Sequence, residues 1–213
     1  MTELTRALDL SGVFANGALG GVLARASRLD LFGFLVIGIV SGLGGGILRD
    51  TLLQHGTPVA LTDYTYLTVA TAGTLLAFVA DLSRHASGWV FKVLDASALS
   101  VWAVAGAQKT LAVGLGWLPA VLLGTITAVG GGAIRDLLLA RTPSVFGGTP
   151  LYATVAIVVS AVMVVCSRLG APTVGVLAGI TVGLSLRLAA SIWGLKLPGS
   201  RDWRPRASKD RDS

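Results

Sequence analysis

Apolar residues occur along this chain in seven long runs, and the short segments between the runs carry most of the charged residues. Each run is close to the ~20 residues that an α-helix needs to cross a bilayer, although the third and sixth are short. The pattern therefore predicts seven transmembrane helices. The runs cover Leu8–Ala24, Leu31–Leu48, Thr65–Leu82, Val93–Val113, Leu118–Ala140, Leu151–Cys166 and Thr173–Trp193.

Composition supports a membrane protein. Of 213 residues, 53% are hydrophobic and 13% are charged, whereas soluble domains usually carry about 25% charged residues. We expect one transmembrane domain over residues 1–195, and a basic, disordered cytoplasmic tail over residues 196–213. The first run is not a signal peptide, because Glu3 and Asp9 do not fit a positively charged leader.

The chain contains an internal duplication. The block GLGGGILRDTLL begins two positions before the Gly44–Gly46 triplet, and AVGGGAIRDLLL contains the second triplet, which starts at Gly130. The offset from Gly44 to Gly130 is 86 residues, and Tyr66 and Tyr152 obey the same offset. Repeat 1 therefore spans about residues 8–82, repeat 2 about 93–166, and the seventh run, about 173–193, has no partner.

Three spans per repeat imply that the second repeat enters the membrane from the opposite face. Inverted repeats of this kind place polar sites near the midplane, where broken helices meet. Glycine costs about 1 kcal/mol relative to alanine in a helix interior. We therefore expect a kink or local unwinding in the second and fifth runs, at the triplets Gly44, Gly45, Gly46 and Gly130, Gly131, Gly132.

The distribution of basic residues predicts the orientation. If the C-terminus is cytoplasmic, that side carries eleven Lys and Arg residues in its loops and tail, against two, Arg6 and Arg168, on the other side. The positive-inside rule then places the N-terminus outside. The basic tail is a topology determinant that can also contact anionic lipid headgroups. Nucleic-acid binding is disfavoured, because no folded basic domain supports it.

Charged residues inside the runs are the candidate functional residues, because polar groups in a bilayer are costly and mark substrate pathways. Adjacent residues on a helix point about 100° apart, so we expect Arg49 and Arg135 to reach carbonyls or a carboxylate of another span. The carboxylate could be that of Asp136 for Arg49, or that of Asp50 for Arg135, each from the other repeat. The alternative is that these residues snorkel to the interface. The candidates are Arg49, Asp50, Arg135, Asp136 and Lys109.

Lys109 breaks the symmetry of the repeats, since Leu23 occupies the matching position. We expect it to face a cavity, as a fixed cation that blocks or tunes a cation path. Asp9 and Asp95 are interpreted as helix N-caps, and Asp81 and Arg187 as residues near the cytoplasmic boundary. The sequence indicates no catalytic residues, metal site or cofactor: the histidines have no ligand spacing, and the glycine triplets are not phosphate loops.

Two three-span repeats, each with GGGxxRDxLL, followed by a seventh span, resemble the prokaryotic relatives of the trimeric intracellular cation (TRIC) channels over about residues 8–193. The resemblance implies a homotrimer with one pore per protomer and hinges at both triplets. It further implies potassium and sodium permeation in a prokaryotic plasma membrane. Lys109 corresponds to the fourth-span lysine. Thr110 and Leu111 replace the Glu-Val that follows it in animal members, so the inositol-lipid role of those members does not carry over.

The same prokaryotic group has been associated with glycine transport, which gives a second hypothesis. A lysine and paired carboxylates suit either a gated cation pore or a site for a small zwitterionic amino acid. A packing scaffold without a permeant is a third hypothesis, and the charged residues within the spans argue against it. We rank the channel first and the transporter second.

Overall fold

The computed structural model describes residues 3–80, 88–146 and 151–195. Asp81, which was interpreted as a residue near the cytoplasmic boundary, and the basic tail lie outside the described residues. The described residues form eight α-helices and a 3-10 turn at Ser144–Phe146. The helices are α1 (Glu3–Ala26), α2 (Leu31–Leu53), α3 (Val59–Thr62), α4 (Tyr64–Val79), α5 (Trp89–Ala112), α6 (Trp117–Leu138), α7 (Tyr152–Arg168) and α8 (Pro172–Trp193).

Polar capping residues and glycines set the helix ends. The side chain of Asp30 accepts a hydrogen bond from the Gly33 amide at 2.8 Å at the start of α2, which satisfies one of the donors that a helix start leaves open. Asp63 does the same at α4, where its carboxylate binds Thr65 and Arg6. These hydrogen bonds lower the pKa of Asp63 to about 2. At the end of α8, Gly194 adopts φ +63°, a left-handed conformation that favours glycine.

Four helices are long and apolar enough to cross a membrane: Thr5–Ala26 within α1, then α2, α6 and α8. The apolar helices α4 and α7 are shorter. Large apolar side chains such as Phe32, Val79 and Leu177 point outward and are exposed on the protein surface. Such extensive outward apolar surface is typical of a membrane or subunit interface rather than of a soluble monomer. The described part of the chain is an all-helical membrane protein.

Helices α1 and α5 form the centre of the bundle. Helix α1 packs against α2, α4 and α5, and α5 packs against α6, α7 and α8. The Thr5 hydroxyl donates to Gln108 at 3.3 Å, while Leu19 and Leu94 belong to one buried cluster at the other end. The start of α1 thus lies beside the end of α5, so these two helices run antiparallel. The buried Trp102 lies between them and donates to the Asp9 carbonyl at 3.4 Å.

Helices α2 and α6 contact each other through Gly44, Gly45, Gly130 and Gly131, which we call the glycine seam. A methyl group added at Gly44 would lie 3.3 Å from the Gly131 Cα. One added at Gly45 would collide with the Thr127 carbonyl oxygen, and one at Gly131 with the Ser41 carbonyl oxygen. The two backbones approach this closely because neither side carries a Cβ there.

The contacts of the glycine seam are reciprocal. Gly44 faces Ile134 and Gly130 faces Leu48. Because Leu48 and Ile134 are themselves separated by 86 residues, each half uses the same surface to contact the other. The pairing order, with Ser41 near Gly131 and Gly45 near Thr127, also shows that α2 and α6 run antiparallel.

Local unwinding at the glycine triplets was a wrong expectation. Both α2 and α6 remain α-helical through their triplets. The expectation of a kink or local unwinding was preferred to close packing because packing needs small residues on one face only, whereas a triplet spans most of the helix circumference. Instead, two glycines of each triplet pack against the opposite helix. The third, Gly46 or Gly132, faces the arginine of its own helix, with Arg nitrogens 3.8 Å and 3.5 Å from an added methyl group.

Candidate functional site

A buried ion pair joins α1 and α2. Arg49 donates from both terminal nitrogens to the two carboxylate oxygens of Asp9, at 3.0 Å and 3.1 Å. The Tyr66 hydroxyl from α4 donates to the same carboxylate at 3.1 Å. Asp9 is 2% exposed and Arg49 is 1% exposed. A paired, fork-shaped geometry of this kind is what makes two buried charges tolerable.

Asp50 extends this pair into a larger group. Its Oδ1 accepts from Arg49 Nε at 2.8 Å and from Lys109 Nζ at 2.7 Å, while Oδ2 accepts from the Val59 amide at 3.1 Å. We call Asp9, Arg49, Asp50 and Lys109 the ionic cluster. It contains two carboxylates and two cations, so its formal charge is zero. It ties α1, α2 and α5 together and fixes the chain at the start of α3.

A cavity of about 380 Å³, which we call the vestibule, ends at this cluster. It lies where the start of α1, the end of α2 and the end of α5 meet. Lys109 is partly accessible here, with 17% of its side chain exposed, which is consistent with the expected cavity-facing position. The vestibule is lined by Thr5, Asp50, Leu53, His55, Thr57, Val59, Gln108, Lys109, Ala112 and Val113.

A second, much smaller void lies beside the ionic cluster. This void, of about 10 Å³, is bordered by Asp9, Arg49, Tyr66 and Trp102. A cavity needs roughly 10–15 Å³ to hold one water molecule. This void therefore has no room for a hydrated cation, and Asp50 borders both it and the vestibule.

The second half has equivalent groups with different partners. The Tyr152 hydroxyl donates to Asp95 at 3.3 Å, as Tyr66 does to Asp9. The cation on Asp95, however, is Arg187 of α8, at 2.8 Å, and its guanidinium stacks over the Tyr152 ring at 4.7 Å. Arg135, the counterpart of Arg49, instead donates to Asp136 at 2.8 Å and to the Ser41 hydroxyl at 3.5 Å.

Asp136 repeats the role of Asp50 at its helix end. Its Oδ2 accepts from the Ser144 amide at 3.1 Å, which holds the start of the 3-10 turn after α6. In the same way, the Val59 amide donates to Asp50, which holds the start of α3 after α2. Each Arg-Asp pair therefore anchors the loop that follows its helix.

One expectation about these residues was wrong, and a second was correct only in part. Asp9 and Asp95 are not N-caps, because both lie well inside their helices and bind an arginine and a tyrosine. Arg49 reaches a carboxylate of another span, as expected, but that carboxylate is Asp9 of α1 in its own repeat, and neither arginine binds a carboxylate of the other repeat. Each binds its adjacent aspartate, since the arginine side chain is long and flexible enough to turn back. Arg187 is 7% exposed and binds Asp95, and its position near the cytoplasmic boundary stays a prediction.

Sequence reasoning missed Asp9, Asp95, Tyr66 and Tyr152 as members of the charged sites. The signal was present in the duplication, because both pairs recur at the offset of 86 residues. A buried carboxylate and a tyrosine retained in both halves indicate a shared contact more strongly than a rule for helix starts does. Arg187 had no such signal, since α8 has no counterpart.

Comparisons with known proteins give a consistent family. A sequence model described as "Glycine transporter" matches residues 6–81 and 92–168. The UPF0126 inner membrane protein YadS of Escherichia coli is 38% identical over 195 residues, which cover 90% of this chain and 93% of that protein. A UPF0126 membrane protein of Deinococcus radiodurans is 41% identical over 150 residues, 70% of each chain.

Solved structures agree with these sequence matches. A TRIC trimeric intracellular cation channel orthologue from Rhodobacter sphaeroides has a TM-score of 0.82 at 30% identity, covering 90% of this chain and 99% of that one. A second TRIC cation channel, solved to explain conductance, has a TM-score of 0.84 at 31% identity, covering 98% and 100%. The relatives are channels and membrane proteins rather than enzymes, which agrees with the expectation from the sequence.

Proposed function

Because this chain belongs to the prokaryotic TRIC channel family, whose sequence model carries the description "Glycine transporter", we propose that it is a monovalent cation channel for potassium and sodium. The observation that carries the proposal is the ionic cluster between the vestibule and the much smaller void beside it. Charges buried at this depth are costly, and their position at the floor of an open cavity suits a path for a charged species.

The proposed architecture has seven spans, α1, α2 and α4 to α8, with α3 as a short connection. The antiparallel pairs α1 with α5 and α2 with α6 support two inverted repeats, which would meet at the glycine seam. We propose one pore per protomer of a homotrimer, in agreement with the trimeric assembly named for the Rhodobacter sphaeroides channel. The triplets would act as the hinges along which α2 and α6 bend in the open state.

We propose that the protein lies in a prokaryotic plasma membrane with its N-terminus outside and its C-terminus in the cytoplasm. The vestibule then opens to the outside, because Thr5, His55 and Val113 lie at that end of the bundle. The basic tail would lie beside anionic headgroups on the cytoplasmic face.

In the proposed mechanism, Lys109 closes the path in two ways. Its ammonium binds the Asp50 carboxylate at 2.7 Å. A permeating cation would otherwise approach that carboxylate. Lys109 also places a positive charge in the vestibule, which repels an entering cation. Opening requires that Lys109 leaves Asp50 and that α2 and α6 separate enough to admit water beyond the cluster.

The test is a planar bilayer recording of purified protein in symmetric potassium chloride, with Lys109→Met and Lys109→Arg as matched variants. We expect unitary potassium currents. Lys109→Met should raise the unitary current or the open probability severalfold, because it removes the repelling charge while keeping the side-chain length. Lys109→Arg should remain close to the unmodified protein. Identical traces for Lys109→Met and the unmodified protein would contradict the proposed role of Lys109.

The second candidate is a secondary transporter of glycine or another small amino acid. The specific observation in its favour is that Lys109 and Asp50 offer opposite charges beside the vestibule, as a zwitterion requires. Proteoliposomes separate the two functions: saturable accumulation of radiolabelled glycine, with no unitary currents in the bilayer, would establish the transporter and reject the channel.

A further inference from the structure

The polar groups at the floor of the vestibule are mainly hydrogen-bond donors. Three groups already donate to the Asp50 carboxylate: Arg49 Nε, Lys109 Nζ and the Val59 amide. An ionised carboxylate offers about four acceptor positions, so little capacity remains for another cation. An ammonium has three donors, and among the described residues Asp50 is the one polar partner of Lys109.

The neighbouring side chains add to this excess of hydrogen-bond donors over available acceptors. The amide oxygen of Gln108 accepts from the Thr5 hydroxyl at 3.3 Å, so the remaining polar atom of that amide is its nitrogen, a donor. His55 and Thr57 lie at the exposed rim. The other lining residues are apolar: Leu53, Val59, Ala112 and Val113.

We propose that the vestibule binds a small organic monocarboxylate with a compact apolar group, and that binding holds the channel closed. The carboxylate accepts from Lys109 Nζ and from the Gln108 amide, while the apolar group packs against Leu53 and Val113. A cavity of about 380 Å³ is within the range of small-molecule sites. Such a ligand leaves the Lys109–Asp50 pair intact and blocks the entrance above it.

The proposal distinguishes this ligand from glycine. The ammonium of glycine needs a free acceptor near its carboxylate, and Asp50 has already accepted three hydrogen bonds. Glycine also lacks an apolar group to cover the walls. We therefore expect an acid such as isovalerate to bind more tightly than glycine. The effect on current depends on the proposed channel function, whereas the binding itself does not.

Binding is measured by calorimetry on the purified full-length protein in detergent, with three probes of nearly equal shape: isovalerate, isovaleramide and isoamylamine. We expect isovalerate to bind once per protomer, isovaleramide at least tenfold more weakly, and isoamylamine without detectable affinity. A tenfold change in affinity corresponds to about 1.4 kcal/mol, and the loss of one hydrogen bond to a charged group is large enough to cause it. The amide and the amine thus test whether the charge of the ligand determines binding.

Two variants test the site, one by removing its cation and the other by filling its cavity. Lys109→Met should weaken isovalerate binding at least tenfold, and Val113→Phe should do the same by filling the cavity while Lys109 remains. The matched control is Val165→Phe, the same change on the outward face of α7, where the side chain is 56% exposed. It should leave the affinity unchanged. Gel filtration and thermal melting establish that each variant is folded.

The proposal is overturned if isovalerate does not bind the unmodified protein, if glycine or isoamylamine binds at least as tightly, or if Val113→Phe binds as the control does. Isovalerate on the outer side of a bilayer should also lengthen the closed intervals. If isovalerate binds but no current is ever observed, the channel function fails and the site stands. If current flows and isovalerate neither binds nor blocks, the site fails and the channel function stands.

Discussion

At the residue scale, the ionic cluster keeps charges inside an apolar bundle. Desolvating two ions costs several kcal/mol each, and only good geometry with additional hydrogen bonds offsets that cost. Arg49 and Asp9 meet this condition with two short contacts and a third from Tyr66. Among the described residues no buried side-chain nitrogen or oxygen lacks a hydrogen-bond partner. All members of the ionic cluster therefore have partners, and the loss of one member leaves a buried charge of another without its partner.

Asp9→Asn should lower the free energy of unfolding by about 3–5 kcal/mol, because it leaves the Arg49 guanidinium buried without its main counter-charge. The measurement is an unfolding equilibrium in detergent, followed by tryptophan fluorescence.

The matched control for Asp9→Asn is Asp63→Asn, the same change in an ion pair with Arg6 that is accessible to solvent. Asparagine caps a helix as well as aspartate does, and solvent screens the exposed pair, so its loss of stability should be far smaller. Equal losses for both variants would show that burial of the Asp9–Arg49 pair does not matter.

The sequence predicted which charged residues lie inside the spans, but it did not predict which of them form ion pairs with each other. Arg49 and Asp50 stand out because each interrupts an apolar run beside a glycine triplet. The partner of Arg49 lies 40 residues away on another helix, and the rotation of that helix about its axis decides whether the two side chains meet. Asp9 was misread because aspartate near a helix start is usually a cap, and α1 begins before its apolar run.

At the scale of elements, the glycine seam fixes the distance between α2 and α6. Unwound backbone at membrane depth must find new partners for its N–H and C=O groups, and the helices avoid that requirement by remaining helical. Close packing of backbones at small residues is a common source of helix association in lipid. The seven runs predicted the long helices well, since their apolar length is a direct property of the sequence. The function of the triplets depends on the facing helix, so the sequence of one helix alone could not decide it.

Gly45→Ala and Gly46→Ala should behave in opposite ways although they are neighbours. A methyl group at Gly45 collides with the Thr127 carbonyl oxygen, a backbone atom that cannot rotate away, and we expect a loss of at least several degrees in melting temperature. A methyl group at Gly46 meets nothing closer than an Arg49 nitrogen at 3.8 Å. Alanine also favours the helix by about 1 kcal/mol, so this variant should be at least as stable as the unmodified protein.

The measurement is a thermal melt of the detergent-solubilised protein, monitored by gel filtration. Gly131→Ala and Gly132→Ala repeat the comparison on α6, where the same difference is expected. If the two members of a pair melt at the same temperature, the close approach of α2 and α6 does not limit stability.

At the scale of the whole molecule, the two halves share a pattern of contacts but differ in their cations. Lys109 has Leu23 as its counterpart, and Arg187 of α8 binds Asp95, which the symmetry would assign to Arg135. The duplication in the sequence carried the signal for the shared contacts, although the interpretation of Asp9 and Asp95 as helix caps missed it. The duplication could not predict the exchange of cations, because α8 has no equivalent from which to infer its position.

The proposed orientation predicts which loops are accessible from outside. Cys166 is the one cysteine in the chain, so Cys166→Ala gives a background for single-cysteine variants. In intact cells a membrane-impermeant maleimide should label Thr57→Cys, at the vestibule rim, and should not label Leu29→Cys, between α1 and α2. Leu29→Cys should react once the membrane is permeabilised. Labelling of Leu29→Cys alone in intact cells would reverse the orientation.

The reciprocal contacts at the glycine seam bear on the origin of the protein. Gly44 meets Ile134 as Gly130 meets Leu48, so the surface is isologous in the sense used for two-fold homodimers. We infer that a single three-helix ancestor would already have carried both sides of that surface. Under the proposed inverted topology, such an ancestor inserted in both directions would assemble with an upside-down copy of itself. Fusion of two genes would then fix the ratio of the two directions at one to one and let each half acquire charges of its own.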